Sequence, residues 1–135
     1  MKKVSFLLLA MILLVSCQSK PVTGETVSVS GGSYQNASVA DLQTMLKNKD
    51  FVLVNVHIPF AGNIPNTYLS IPYDQIEQNL SQLSNDKNAK IVLYCRSGRM
   101  SEIAAEQLVS LGYTNVWNVT GGMVAWEQAG LELEK

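Results

Sequence analysis

The sequence is poor in the residues from which metal centres and disulfide scaffolds are built. It has one histidine and two cysteines in 135 residues. No Cys/His cluster with ligand spacing can be assembled from that stock, so no metal is expected. Two cysteines are too few for a disulfide-rich secreted scaffold. Charge of either sign is scarce as well, with ten basic and eleven acidic residues leaving a net charge of −1. A chain so balanced carries no basic footprint, and no nucleic-acid partner is expected. No apolar run reaches the roughly 20 residues that a membrane-spanning helix wants. The length suits one domain of ordinary size, with a core that folds without staples.

What is present is unevenly spread. The first sixteen residues hold twelve of the 63 hydrophobic residues. Met1-Lys2-Lys3 precedes the run Phe6 to Val15, the anatomy of an export signal. The following Leu14-Val15-Ser16-Cys17 resembles the lipobox of bacterial lipoproteins. That resemblance implies cleavage before Cys17, which would carry a thioether diacylglycerol and an amide-linked acyl chain. Several chains hold a protein to a membrane far more firmly than one, at about 0.8 kcal/mol per buried methylene. Gln18, where an Asp would retain the protein at the inner membrane, points to the outer membrane facing the periplasm in a Gram-negative host. Residues 1–16 are therefore expected as a signal peptide, 17–32 as lipidated cysteine and flexible tether, and 33–135 as the folded domain. Val27 and Val29 alternate with serines and leave room for a short edge strand. The sequons at Asn36, Asn79 and Asn118 are read as chance.

The remainder alternates strand and helix patterns. Ser38 and Asp41 form a capping signal, and Val39, Leu42 and Leu46 follow at helical spacing, predicting a helix over 39–48. Phe51 to Val56 is a short, apolar, β-branched run that suits a strand buried on both faces. Pro59, Gly62 and Pro65 mark a loop, and residues 68–71 suit a short strand. Asp74 and Glu77 form a second capping pair, with Ile76, Leu80 and Leu83 on one helical face behind it. Strands are expected over 91–94 and 116–119, and helices over 101–111 and 123–129, each closed by a glycine. Such alternation argues a parallel sheet covered on both sides.

Cys95-Arg96-Ser97-Gly98-Arg99-Met100 fills the connection between the strand 91–94 and the helix from Ser101. Ligands of open α/β sheets bind at the carboxyl ends of strands, and a helix N-terminus favours an anion. Both influences, with Arg96 and Arg99, favour thiolate at Cys95. The bland alternative is a buried core thiol beside solvated loop charges.

Tyr94-Cys95-Arg96-Ser97-Gly98-Arg99 resembles the active-site loop of a rhodanese domain. The resemblance continues through Ala104-Ala105, Leu108, Gly112-Tyr113, Asn115-Val116, Gly121-Gly122, Ala125-Trp126 and Ala129-Gly130-Leu131. It covers roughly residues 33–133. It implies a three-layer α/β/α fold with a five-stranded parallel sheet, and sulfur transfer through a persulfide on Cys95. No cofactor is then needed beyond that covalent intermediate. Residues 96–101, Arg96 through Ser101, would bind the anionic donor and stabilise the terminal sulfur. The partners would be a small sulfane donor such as thiosulfate, a thiol or cyanide acceptor, or a protein sulfur acceptor, and the chain would act as a monomer. A persulfide carrier with little turnover is the alternative.

The chain departs from the family at three places. Met100 stands where many relatives carry Arg or Thr. Asn55-Val56-His57 replaces the usual Asp-Val-Arg, and Gly62-Asn63-Ile64 the usual Gly-His-Ile. His57, the sole histidine, lies at the end of a strand predicted to neighbour the site, where it could contact substrate, shuttle a proton or make a structural hydrogen bond. Trp117 and Trp126 read as core anchors. In the related cysteine phosphatases the loop is Cys-x5-Arg. The sixth residue after Cys95 is Ser101, so the phosphate clamp is missing.

Overall fold

Short runs of β-branched and apolar residues form the middle of the sheet, because such side chains fit a pleated surface buried on both faces. The structure, a computed structural model, describes residues 20–135. The export signal, the lipobox and Cys17 lie outside the described residues. In chain order the elements are β1 Glu25–Val29, β2 Gly32–Ala37, α1 Val39–Leu46, β3 Val52–Asn55, β4 Leu69–Ser70, α2 Leu80–Leu83, β5 Ile91–Tyr94, α3 Arg99–Ser110, β6 Val116–Val119 and α4 Gly122–Gln128.

The sheet has six strands in the order β1-β2-β6-β5-β3-β4. All pairings are parallel except β1 with β2. The expected five parallel strands are therefore present, and the sixth is an added antiparallel edge. That edge comes from the segment expected as tether. Thr26, Val27 and Ser28 pair with Gln35, Tyr34 and Ser33, so ordered structure starts before residue 33. The physical reason is local: Val27 and Val29 pack against the core, and the Ser30-Gly31 turn returns the chain onto β2.

Alternation along the buried strands divides the core into two layers. Ile91, Leu93 and Val116 join the α3 side, with Ala104, Ala105 and Leu108. Val92, Tyr94, Trp117 and Val119 join the other, with Leu42, Met123 and Trp126 from α1 and α4. Both tryptophans are core residues on the α1/α4 face, and the Trp126 indole donates to the Glu132 carbonyl at 2.9 Å. Helix α1 begins with the expected capping box, since Ser38 and Asp41 exchange hydrogen bonds of 3.1 and 2.9 Å.

The second capping pair does not act as one. Tyr73–Gln75 and Glu77–Asn79 are successive 3-10 turns, and only Leu80–Leu83 is α-helical. The Asn79 amide donates to the Gln75 carbonyl at 2.8 Å, a side-chain competitor for the backbone ladder. Ile76 and Leu83 still reach the core, so the apolar spacing was right and the regular helix was not. Helix α3 starts at Arg99 rather than Ser101, which shortens the loop after Cys95 to three residues.

Leu53 is fully buried in the α1/α4 layer. Leu53→Ala is expected to lower unfolding free energy by about 2–5 kcal/mol, measured by urea denaturation.

Candidate active site

The geometry of the site follows from where β5 ends. Ile91, Leu93 and Cys95 alternate onto the α3 face, so the Cys95 side chain leaves the strand directed at the first turn of that helix. The carbonyls on either side of the turn are held from two directions. The Val56 N–H donates to the Tyr94 carbonyl, and the Met123 and Val124 N–H groups donate to the Cys95 and Arg96 carbonyls, each at 2.9 Å. The start of α4 is thus bound to the loop. That close approach explains Gly121-Gly122: a Cβ on Gly122 would overlap the Cys95 carbonyl oxygen, and its φ is +49°.

Cys95 is a free cysteine, only 2 % exposed. The Gly98 N–H donates to its Sγ at 3.0 Å. Gly98 has φ +122°, a conformation that needs glycine and turns this N–H back toward the sulfur. Immediately beyond it α3 runs for twelve residues, so the sulfur sits at the positive end of a full helix dipole. The arrangement suits a sulfur that carries negative charge.

Ser101, fully buried, is the second donor within reach. Its Oγ lies 3.4 Å from Cys95 Sγ, 2.9 Å from the Gly98 carbonyl and 2.6 Å from Asn118 Oδ1. Asn118 is on β6 and its Nδ2 donates to Asn36 Oδ1 of β2 at 2.9 Å. Asn36 and Asn118 had been singled out only as sequons. A signal was present: Asn118 interrupts the buried run Val116-Trp117-Asn118-Val119, and a polar residue there needs partners.

The loop residues divide by exposure. Arg96, Ser97 and Arg99 are exposed, Gly98 is buried and Met100 is intermediate. Arg96 lines a small cavity of about 200 Å³ with Ala61, Met123, Glu127, Leu133 and Lys135. A larger cavity, about 630 Å³, lies beside the β1–β2 edge and includes Asn36, Ser38 and Thr120. Arg99 and Met100 belong to the first turn of α3, not to the loop.

His57 follows β3 and is close enough to Arg96 for the guanidinium to act on it. Burial, and then the positive charge of Arg96, push its pKa below the ordinary 6.5. The imidazole is therefore neutral at physiological pH. Just before it, buried Asn55 organises the loop that carries it. Its Nδ2 donates to the Gly62 carbonyl and to Asn63 Oδ1, both at 2.9 Å, and its Oδ1 accepts the His57 N–H at 3.0 Å. A carboxylate at 55 could donate neither to the Gly62 carbonyl nor to Asn63 Oδ1, so the amide is what joins these groups.

A family model described as a rhodanese-like domain matches residues 38–129. A protein of Allochromatium vinosum named sulfurtransferase is 34% identical over 94 residues, covering 67% of this chain and 85% of that one. A putative mitochondrial thiosulfate sulfurtransferase of Schizosaccharomyces pombe is 30% identical, over 68% of this chain and 79% of that one. Among solved structures, a rhodanese-like domain protein from Staphylococcus aureus superposes with a TM-score of 0.61 at 33% identity, covering 74% of this chain and 98% of that one.

Two outcomes are expected from this geometry. Gly122→Ala should separate α4 from the loop, lower the melting temperature and slow alkylation of Cys95 by iodoacetamide. For His57, the unfolded chain takes up a proton near pH 6.5 while the folded chain resists it. Stability should therefore fall as pH drops through that value, and His57→Gln should flatten the fall in urea melts across the same range.

Proposed function

The chain belongs to the rhodanese-like domain family, and from that premise we propose that it is a sulfurtransferase that carries sulfane sulfur on Cys95. The observation that supports this reading best is the seat of Cys95 Sγ: at the N-terminus of α3, with the Gly98 N–H donating to it at 3.0 Å. An anionic sulfur is stabilised there before any reactant arrives.

The reaction runs in two displacements. The Cys95 thiolate attacks the outer sulfur of a donor such as thiosulfate. The donor's S–S bond breaks, sulfite leaves with the bonding pair, and Cys95 holds a persulfide. An acceptor, cyanide or a thiolate, then attacks the terminal sulfur. The Cys95–sulfur bond breaks, its electron pair returns to Cys95, and thiocyanate or an acceptor persulfide leaves. No redox cofactor is consumed, because the sulfur passes from one nucleophile to another. Exposed Arg96 and Arg99 would hold the anionic donor through charge-assisted hydrogen bonds. Neutral His57 beside Arg96 is placed to take the proton of an acceptor thiol. Arg96, Ser97 and Arg99 beside Cys95 are exposed, which leaves room for a protein acceptor.

The lipobox motif at Leu14 to Cys17 supports a second component of the reading, a monomeric domain tethered to a bacterial envelope membrane by lipid on Cys17. Cys17→Ala is expected to move the protein from the membrane to the soluble fraction.

Mass spectrometry after thiosulfate treatment should show one added sulfur on Cys95, absent from Cys95→Ser. No adduct with any sulfane donor would sink the proposal. Arg96→Ala should raise the donor KM by about tenfold, the worth of one charge-assisted hydrogen bond. Adduct formation without steady-state transfer to cyanide or thiols would identify a carrier instead of an enzyme.

A further inference from the structure

The Ser101 hydroxyl has one proton and three acceptors around it: the Gly98 carbonyl, Asn118 Oδ1 and Cys95 Sγ. The shortest contact, 2.6 Å, is to Asn118. When the proton points there, Ser101 presents a lone pair to the sulfur. That suits a neutral thiol, which can donate, and opposes a thiolate, which cannot. When the proton points at the sulfur instead, two unprotonated oxygens face each other across the Ser101–Asn118 contact. Half-turns of the Asn118 and Asn36 amides remove that conflict. Asn36 Nδ2 then donates to Asn118 Oδ1, Asn118 Nδ2 donates to Ser101 Oγ, and the Ser101 proton is free for Cys95 Sγ. Oxygen and nitrogen of an amide are nearly the same size, so both settings fit one backbone.

The chain of groups has a fixed end and a free end. Asn118 and Ser101 are 1 % and 0 % exposed, and every polar atom they carry must be matched. Asn36 is only partly buried and borders the 630 Å³ cavity, so water can satisfy whichever amide atom turns outward. The backbone register keeps the two amides side by side, since Asn36 of β2 is paired with Asn118 of β6.

We infer that Asn118, turned together with Asn36, is a positioning residue that decides whether the Ser101 hydroxyl donates to the Cys95 sulfur. In one setting the site holds a neutral thiol; in the other it supplies the sulfur anion with a second donor beside the Gly98 N–H. The resting thiol and the attacking thiolate need opposite settings, so the relay follows deprotonation of Cys95 without moving the backbone. The inference rests on the assignment of Cys95 as the reacting group, and it requires no particular donor.

Asn36→Asp tests it from the free end. A carboxylate at 36 only accepts, so it holds Asn118 Nδ2 toward itself and Asn118 Oδ1 toward Ser101, which keeps the Ser101 proton from the sulfur. Iodoacetamide alkylation of the resting protein is followed across mildly acidic to alkaline pH, with no sulfur donor present. The rate at neutral pH is expected to fall about tenfold or more, the worth of one hydrogen bond to a charged group, and the midpoint of the profile to move upward. In a Ser101→Ala background the same substitution should change little, because the connecting hydroxyl is gone. An equal slowing in that background would show a through-space charge effect and overturn the inference, as would an unchanged rate in the single variant with a native circular dichroism spectrum. Asn118→Asp provides a second variant where it folds. Failure of sulfur transfer itself leaves this readout intact, so the two proposals fail separately.

Discussion

The site depends on one interaction, the bonding of the chain just after β5 to the starts of two helices. Cys95 and Arg96 give their carbonyls to the first N–H groups of α4, while Cys95 takes the Gly98 N–H on its sulfur at the entrance to α3. Helix starts have orphan donors, and a sheet's carboxyl edge has orphan acceptors. Here each satisfies the other. The result fixes the Cys95 backbone from one side and its side chain from the other. Gly98 and Gly122 follow as necessities, one to turn an amide back toward the sulfur and one to let α4 approach.

Around that centre the protein uses neutral polar groups more than ion pairs. The ion pair between Lys90 and Asp50, at 3.7 Å, lies just before β5, at the end of that strand opposite Cys95. Asn55, Asn63 and Tyr94 organise the His57 side, and Ser101, Asn118 and Asn36 the α3 side. Amides both donate and accept, so they can bridge groups that a carboxylate would leave half satisfied. A buried negative charge beside Cys95 would also oppose a sulfur anion in a region of low dielectric. Asn55 keeps the loop 57–63 in place and adds no charge.

Much of the architecture was legible in the linear pattern. The buried runs at 91–94 and 116–119 became strands with those bounds, and the capping box at Ser38 and Asp41 formed. Where the reading failed, tertiary context intervened. Asp74 and Glu77 have capping spacing, but Asn79 bonds back to Gln75 and the segment breaks into 3-10 turns. The alternation of Val27 and Val29 with serines left room for an edge strand, and pairing with β2 forms it, so the sheet begins inside the segment expected as tether. Cys95 and its loop were visible because their order and spacing are local properties. The Asn118–Asn36 link was not, because its partners lie far apart in the chain and meet only through the pairing of β6 with β2.

By itself the sequence determined the alternation of strand and helix, the loop that begins at Cys95, the glycines that let it turn, and the placing of two arginines beside that thiol. These are consequences of neighbouring residues, and neighbours impose their conformational preferences without the rest of the chain. Only the tertiary structure decided which donors face the sulfur, that burial and then Arg96 lower the His57 pKa, and that a buried amide two strands from the edge of the sheet is linked to Cys95 through Ser101. Those depend on distances between segments, and packing of the two core layers against the sheet is what sets them.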